Sequence, residues 1–165
     1  SQNVDGLHLI AGIKSELLAE LHGNSNLMIC LSCNKKMTHE ESGWDKNKWG
    51  AGYRTSPVKE SQPTCPHCKG RIISSVVNFG DPLPEEDYWN SQQHSELADV
   101  YLIIGSSLVV FPAADLPELA RKNTAKMVLI NMGQTPYDNL VDIKIEEKIG
   151  DLITKIVSQV KENLG

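Results

Sequence analysis

"ADVYLIIGSSLVVFPAADLPELARKNTAKMVLIN", Ala98 to Asn131, is the most informative segment of this chain for its architecture. It opens on one short apolar run, Ala98 to Gly105, and closes on another, Ala125 to Asn131. Unbroken apolar runs of this length belong to strands buried on both faces, as in parallel sheets covered by helices. Between them, "PAADLPELARKN" reads as a crossover helix in spite of Pro117. A third, weaker run follows, "VDIKI" from Val141 to Ile145. After it, "IGDLITKIVSQVKENL" sets Leu152, Ile153, Ile156, Val157 and Val160 on one stripe of a terminal amphipathic helix. Strands alternate with helices, so the expected class is α/β, part of a Rossmann-like, doubly wound parallel sheet of about three to four strands. No G-x-G-x-x-G turn opens a helix, and "GAGYRT" (Gly50 to Thr55) follows no strand and carries little weight.

The region before this segment divides by texture. In Ser1 to Ile29, "QNVDGLH" is turn-like, and "KSELLAELHG" places Leu17, Leu18 and Leu21 on one helical face. Ser15 is the expected N-cap of that helix and Gly23 its stop. From Cys30 to Ile73 the chain is polar and lacks apolar periodicity, so it is expected to bury little core of its own. Something else must order it, and the cysteines supply the means. The expected organisation is a partial Rossmann-like domain from residues 1–29 and 74–165, with a small four-cysteine zinc-binding module over 30–73.

Cys30 and Cys33 form one Cys-x-x-Cys pair, Cys65 and Cys68 a second. Each pair can present two thiolates from a tight knuckle, and two knuckles complete a tetrahedron around one ion. Residues 34–64 intervene, more than the roughly 15–20 of a compact zinc ribbon. Trp44, Trp49 and Tyr53 are expected to hold that longer loop down. Zinc is the favoured ion and a four-thiolate iron centre the chemical alternative. Neither pair opens a helix after a strand, which argues against thioredoxin-like redox chemistry. A tetrahedron of four thiolates is coordinatively closed, so the metal is structural and has no position for His22 in "ELHGN". His67, inside a knuckle, reads as solvated, as do His8, His39 and His94 and the acidic run Glu85, Glu86, Asp87. Taken by itself, His22 is a helix-end histidine favoured by the dipole.

The net charge of −5, with no run of lysines or arginines, argues against direct binding to nucleic acid or a membrane surface. Neither a secretion signal nor an apolar stretch long enough for a membrane span is seen. Paired cysteines of this kind suit a reducing compartment, so an intracellular setting, cytoplasmic or nuclear, is expected.

Several stretches then converge. "SQNVDGLHLIAG", "ELHGN", the two cysteine pairs, "VVNFGDPLP", "GSSLVVFPAADLP" and "LINMGQTPYD" occur in this order. Together they resemble the sirtuins, NAD-dependent protein-lysine deacylases, over essentially the whole chain. The resemblance implies roles by position. His22 matches the base that deprotonates a hydroxyl of the nicotinamide ribose, a task suited to imidazole. Gln2, Asn3 and Asp5 match the loop lining the nicotinamide and ribose pocket. Gly105, Ser106 and Ser107 match a turn at a strand's carboxyl end that contacts NAD, and Asn131 matches the contact to the adenosine ribose. Val77, Asn78, Phe79, Gly80 and Asp81 match the segment that pairs with an acyl-lysine peptide by strand addition, with Val109, Val110 and Phe111 facing it. The implied cofactors are NAD and structural Zn2+, and the implied partner is an acyl-lysine protein or peptide. The "NFGD" form departs from the commoner "FGE", so the acyl chain is left open.

The family's "GAGxS" phosphate loop, its "PDFR"-type cofactor loop and its first strands have no counterpart in these residues. The chain therefore reads as the C-terminal part of a sirtuin, inactive alone. Two alternatives accompany this reading. One is a zinc-stapled peptide-binding module without catalysis; the other is mono-ADP-ribosyl transfer in the same pocket.

Overall fold

The computed structural model describes residues 1–164. The chain divides into two compact units, one from Ser1 to Asn90 and one from Ser91 onward.

In the first unit, three short strands, β1 (Leu27–Cys30), β2 (Lys36–Thr38) and β3 (Ile72–Ser74), form an antiparallel sheet in the order β2-β1-β3. Met28 lies opposite Met37 on one side and Ser74 on the other, and Cys30 lies opposite Ile72. Met28, Cys30, Met37, Trp44, Cys65 and Ile72 make a closed apolar cluster, with Trp49 packed against it. The polar 30–73 segment thus buries a core after all. A few large side chains suffice, because Trp and Met each bury far more area than their number suggests.

Helix α1 (Leu7–Ile10) precedes this sheet, and α2 (His39–Ser42) and α3 (Lys46–Trp49) follow β2. A capping box starts α2: the Thr38 hydroxyl accepts from Glu41 N–H at 3.1 Å, and the Glu41 carboxylate accepts from Thr38 N–H at 2.8 Å. The Trp44 indole donates to the Gly50 carbonyl at 2.9 Å, and the Trp44 and Trp49 rings lie 5.8 Å apart. Gly52 has φ +69°, and a Cβ there would lie 2.5 Å from the Trp44 ring. "GAGYRT" is therefore a packing turn around Trp44, while Tyr53 stays exposed.

The helix expected over Lys14–Gly23 does not form. Only a 3-10 turn, Ser15–Leu17, is present, Lys14 rather than Ser15 precedes it, and Leu17 is exposed. Backbone groups that a helix would use are bonded elsewhere. Leu21 N–H donates to Ser1 O, and the amino group of Ser1 to Ala19 O.

In the second unit, β4 (Val100–Ile104), β5 (Lys126–Ile130) and β6 (Ile143–Ile145) form the expected parallel sheet, in the order β4-β5-β6. The crossover helix is α5 (Leu116–Lys122), entered through a 3-10 turn at Ala113–Asp115. Pro117 sits in its first turn, where a missing N–H costs nothing. Ile103, Leu108, Ala120, Ala125, Met127, Leu129 and Tyr137 form the core. Strand β4 is not buried on both faces: Val100, Leu102 and Ile104 are exposed while Ile103 is buried. Helix α4 (Glu85–Glu96) spans the division between units. Helix α6 (Ile149–Leu164) carries the predicted stripe, of which Leu152, Ile153 and Ile156 are half-buried and Val157 and Val160 exposed. Among the described residues, no helix is long and apolar enough to cross a membrane.

Candidate functional site

The sulfurs of Cys30, Cys33, Cys65 and Cys68 lie within 4.8 Å of one another. Cys30 and Cys68 sulfurs are 3.4 Å apart, and those of Cys33 and Cys65 3.8 Å. Zinc–sulfur bonds of about 2.3 Å in a tetrahedron place sulfurs about 3.8 Å apart, so the cluster fits a zinc ion. It does not fit disulfides, and all four thiols are free. The two knuckles share a design. Asn34 and Lys69 each adopt positive φ four residues after the first cysteine, and each N–H returns to that cysteine's carbonyl at 2.9 Å. Gly70 is required where the knuckles meet, since a Cβ there would lie 2.4 Å from the Ser32 hydroxyl.

Burial opposes the Cys30 thiolate, but the N–H groups of Cys33 and Ser32, with the thiols of Cys68 and Cys33, together outweigh it and bring the thiol down to about 6. At Cys68 the Gly70 N–H favours the thiolate, yet the sulfurs of Cys30 and Cys33 push it up to about 12. Four sulfurs this close lose all their protons only with a cation among them. His67 is exposed.

His22 lies in the turn between the 3-10 segment and β1, half-buried. Residues 1–5 run alongside this turn. Leu21 N–H donates to Ser1 O at 3.0 Å, and Ser25 N–H to Val4 O at 2.7 Å. This lacing brings Gln2 to His22: the Gln2 carbonyl oxygen lies 3.2 Å from Nδ1. A carbonyl only accepts, so Nδ1 holds the hydrogen, and in the neutral ring Nε2 is the basic nitrogen. The Asp5 carboxylate accepts from Leu7 N–H at 3.0 Å, and Asn3 N–H donates to the Ser1 hydroxyl at 3.2 Å.

Beneath the turn is a buried polar network that no local sequence pattern marks. Asn24, 2% exposed, donates from its side-chain amide to the Glu20 carboxylate at 2.8 Å. The Ser75 hydroxyl accepts from Asn24 N–H at 3.1 Å and donates to Asn24 O at 2.8 Å. Two residues on, Val77 N–H donates to His22 O at 3.0 Å. Gly23, with φ +76°, leaves the space this requires, since a Cβ would lie 1.9 Å from the Ser75 carbonyl oxygen. Asp87 proves to be a strut, not a solvated acid: it accepts from Glu20 N–H at 3.3 Å and pairs with Lys36 at 2.9 Å. His39 and Lys46 reach the carbonyls of Asn26 and Ser25, just past the turn. Burial, with the Lys46 ammonium beside it, lowers the His39 pKa and favours its neutral form.

In the segment after Ser75, the Asp81 carboxylate accepts from Asn78 N–H at 3.2 Å and faces Arg54 at 3.7 Å. Asn78 to Asp81 is a turn, not a strand, with Gly80 at φ +88° and Phe79 97% exposed. In the second unit, Gly105 and Asn131 end adjacent parallel strands, and Gly105 N–H donates to Ile130 O at 3.0 Å. Gly105 has φ +60° and open space where a Cβ would be. The Ser106 hydroxyl accepts from Leu108 N–H at 3.2 Å, Ser107 is exposed, and the Asn131 amide donates to Gly133 O at 3.0 Å. Val109 and Phe111 are exposed and Val110 half-buried.

Residues 1–112 match the Sir2 family. NAD-dependent protein deacylase 2 of Archaeoglobus fulgidus is 36% identical over 162 residues, which cover 98% of this chain and 59% of that protein. NAD-dependent protein deacetylase 1 of Pyrobaculum aerophilum is 36% identical over 161 residues, covering 98% and 58% respectively. A solved Sir2–p53 peptide–NAD+ complex superposes with a TM-score of 0.73 at 32% identity, over 97% of this chain and 61% of that one. This chain thus spans about three fifths of the length of these relatives. The chain belongs to the Sir2 family.

Proposed function

We propose that this chain carries the catalytic base, the structural zinc site and part of the NAD and peptide sites of an NAD-dependent protein-lysine deacylase. The observation that carries the reading is the Gln2–His22 contact, which leaves Nε2 as the basic nitrogen of a ring held in one orientation. His22 takes a proton from a ribose hydroxyl on Nε2, and the Gln2 carbonyl stabilises the resulting imidazolium through Nδ1–H. Gln2, Asn3 and Asp5 line the ribose and nicotinamide pocket. Gly105, Ser106, Ser107 and Asn131 hold the dinucleotide, and the open turn at Gly105 leaves room for its oxygens. When bound, NAD supplies an ADP-ribose acceptor for the acyl group and nicotinamide as leaving group. Val77 to Asp81 and Val109 to Phe111 bind the acyl-lysine peptide. The four cysteines hold zinc for structure only, since a closed tetrahedron has no position for a reactant.

The test is His22→Ala in the protein at its full encoded length. Deacylation of an acetyl-lysine peptide should fall by about a hundredfold or more, the range of lost general-base catalysis, with zinc content unchanged. Loss of zinc would make His22 a ligand, and a peptide product carrying ADP-ribose would favour the transferase alternative.

A further inference from the structure

The Ser75 hydroxyl is committed on both sides. It accepts from the N–H of Asn24 and donates to the carbonyl of the same residue. Ser75 and Asn24 are both buried, so these bonds are shielded from bulk solvent. The backbone contact is also unusually close, because Gly23 lets the Ser75 carbonyl approach where any side chain would collide. With Val77 N–H on His22 O, the main chain of His22–Gly23–Asn24 is held from the Ser75 side. Residues 1–5 fix the ring through Gln2. His22 is therefore oriented by two segments far apart in sequence, and Ser75 contributes the buried hydroxyl on one of them.

We infer that Ser75 is a positioning residue for His22, setting its turn so that Nε2 meets the ribose hydroxyl. This rests on the reading of His22 as the base. It separates two stages of the reaction. Nicotinamide leaves before the base acts, so a displaced His22 slows deacylation but not peptide-dependent exchange of labelled nicotinamide into NAD.

Ser74 provides the control. It is the same residue type and equally buried, but its hydroxyl accepts from Val76 N–H, two residues along its own segment, and not from the His22 turn. In the full-length protein, Ser75→Ala should lower deacylation kcat by about tenfold to a hundredfold, the effect of a base misplaced by about 1 Å. Exchange should stay within about twofold, because that stage does not use the base. Ser75→Thr, which keeps the hydroxyl, should recover most of the deacylation, and Ser74→Ala should show no such split. Equal loss of both activities in Ser75→Ala, no loss, or the same split in Ser74→Ala would overturn the inference. Should Ser75→Ala fail to fold, Ser75→Cys, close to serine in size and a much weaker hydrogen-bonding group, provides the same comparison. His22→Ala run in parallel distinguishes the two failures: if it retains deacylation, the assignment of the base falls first.

Discussion

Gly23 is constrained twice, by its backbone angle and by its neighbour. Its φ is +76°, and the Ser75 carbonyl occupies the place of a side chain at 1.9 Å. Gly12 has a comparable φ of +91° but open space around it. The pair separates conformational strain from collision. Gly12→Ala should lower unfolding free energy by about 1–2 kcal/mol, the left-handed penalty alone. Gly23→Ala should lower it by about 3 kcal/mol or more, because strand β3's continuation must retreat and its buried bonds to Asn24 break. Urea midpoints measure both, and equal losses would mean the Ser75 approach is slack. His22 is a candidate from the sequence through the resemblance of His-Gly-Asn and its neighbours to the family. Glu20, Asn24 and Ser75 are not legible in the sequence, since Ser75 meets Asn24 from 51 residues away and nothing local marks either as paired. Asp87 escapes for the same reason: an acidic run looks solvated until a lysine and a backbone N–H are found facing it.

Legibility also varies among the strands. β4 and β5 are readable because continuous apolar runs of five and four residues, Val100–Ile104 and 127–130, have few other uses. β1, β2 and β3 have three or four residues each and lie partly in a polar segment, too short for any period to show. Their order comes from the knuckles, which fix Cys30 and Cys65 at the centre of the cluster that Trp44 closes. That dependence gives an optical test. Trp44, Trp49 and Trp89 all precede Ser91, and Trp89 is already exposed. Removing zinc with a chelator at neutral pH, or substituting Cys65→Ser, should therefore red-shift tryptophan emission through Trp44 and Trp49. The far-ultraviolet signal of the parallel sheet should largely remain, because the core around Ile103, Met127 and Leu129 contains no cysteine. Metal loss without a shift would show that the Trp44 cluster stands without the ion.

The Lys14–Gly23 segment shows how distant partners override a local pattern. Leu17, Leu18 and Leu21 have helical spacing, but Ser1 and Val4 claim backbone groups of this segment and the turn beyond it, leaving Leu17 in solvent. The same long-range logic applies to the proposed NAD site. The residues assigned to NAD here are a ribose-pocket segment, a strand-end turn and one asparagine. Dinucleotide sites draw most of their pyrophosphate affinity from a glycine-rich turn at a helix N-terminus. No such turn occurs in these 165 residues. Exposed Val100, Leu102 and Ile104 on edge strand β4 further favour association of the isolated chain over solution as a monomer. The 165 residues alone should therefore show no saturable NAD binding by calorimetry up to about 1 mM, an affinity weaker than about −4 kcal/mol. They should also transfer no acetyl group from an acetyl-lysine peptide to ADP-ribose. Robust deacylation by the isolated chain would mean that the dinucleotide is held without a phosphate turn, and the assignment of Gly105, Ser107 and Asn131 would have to be rebuilt around that fact.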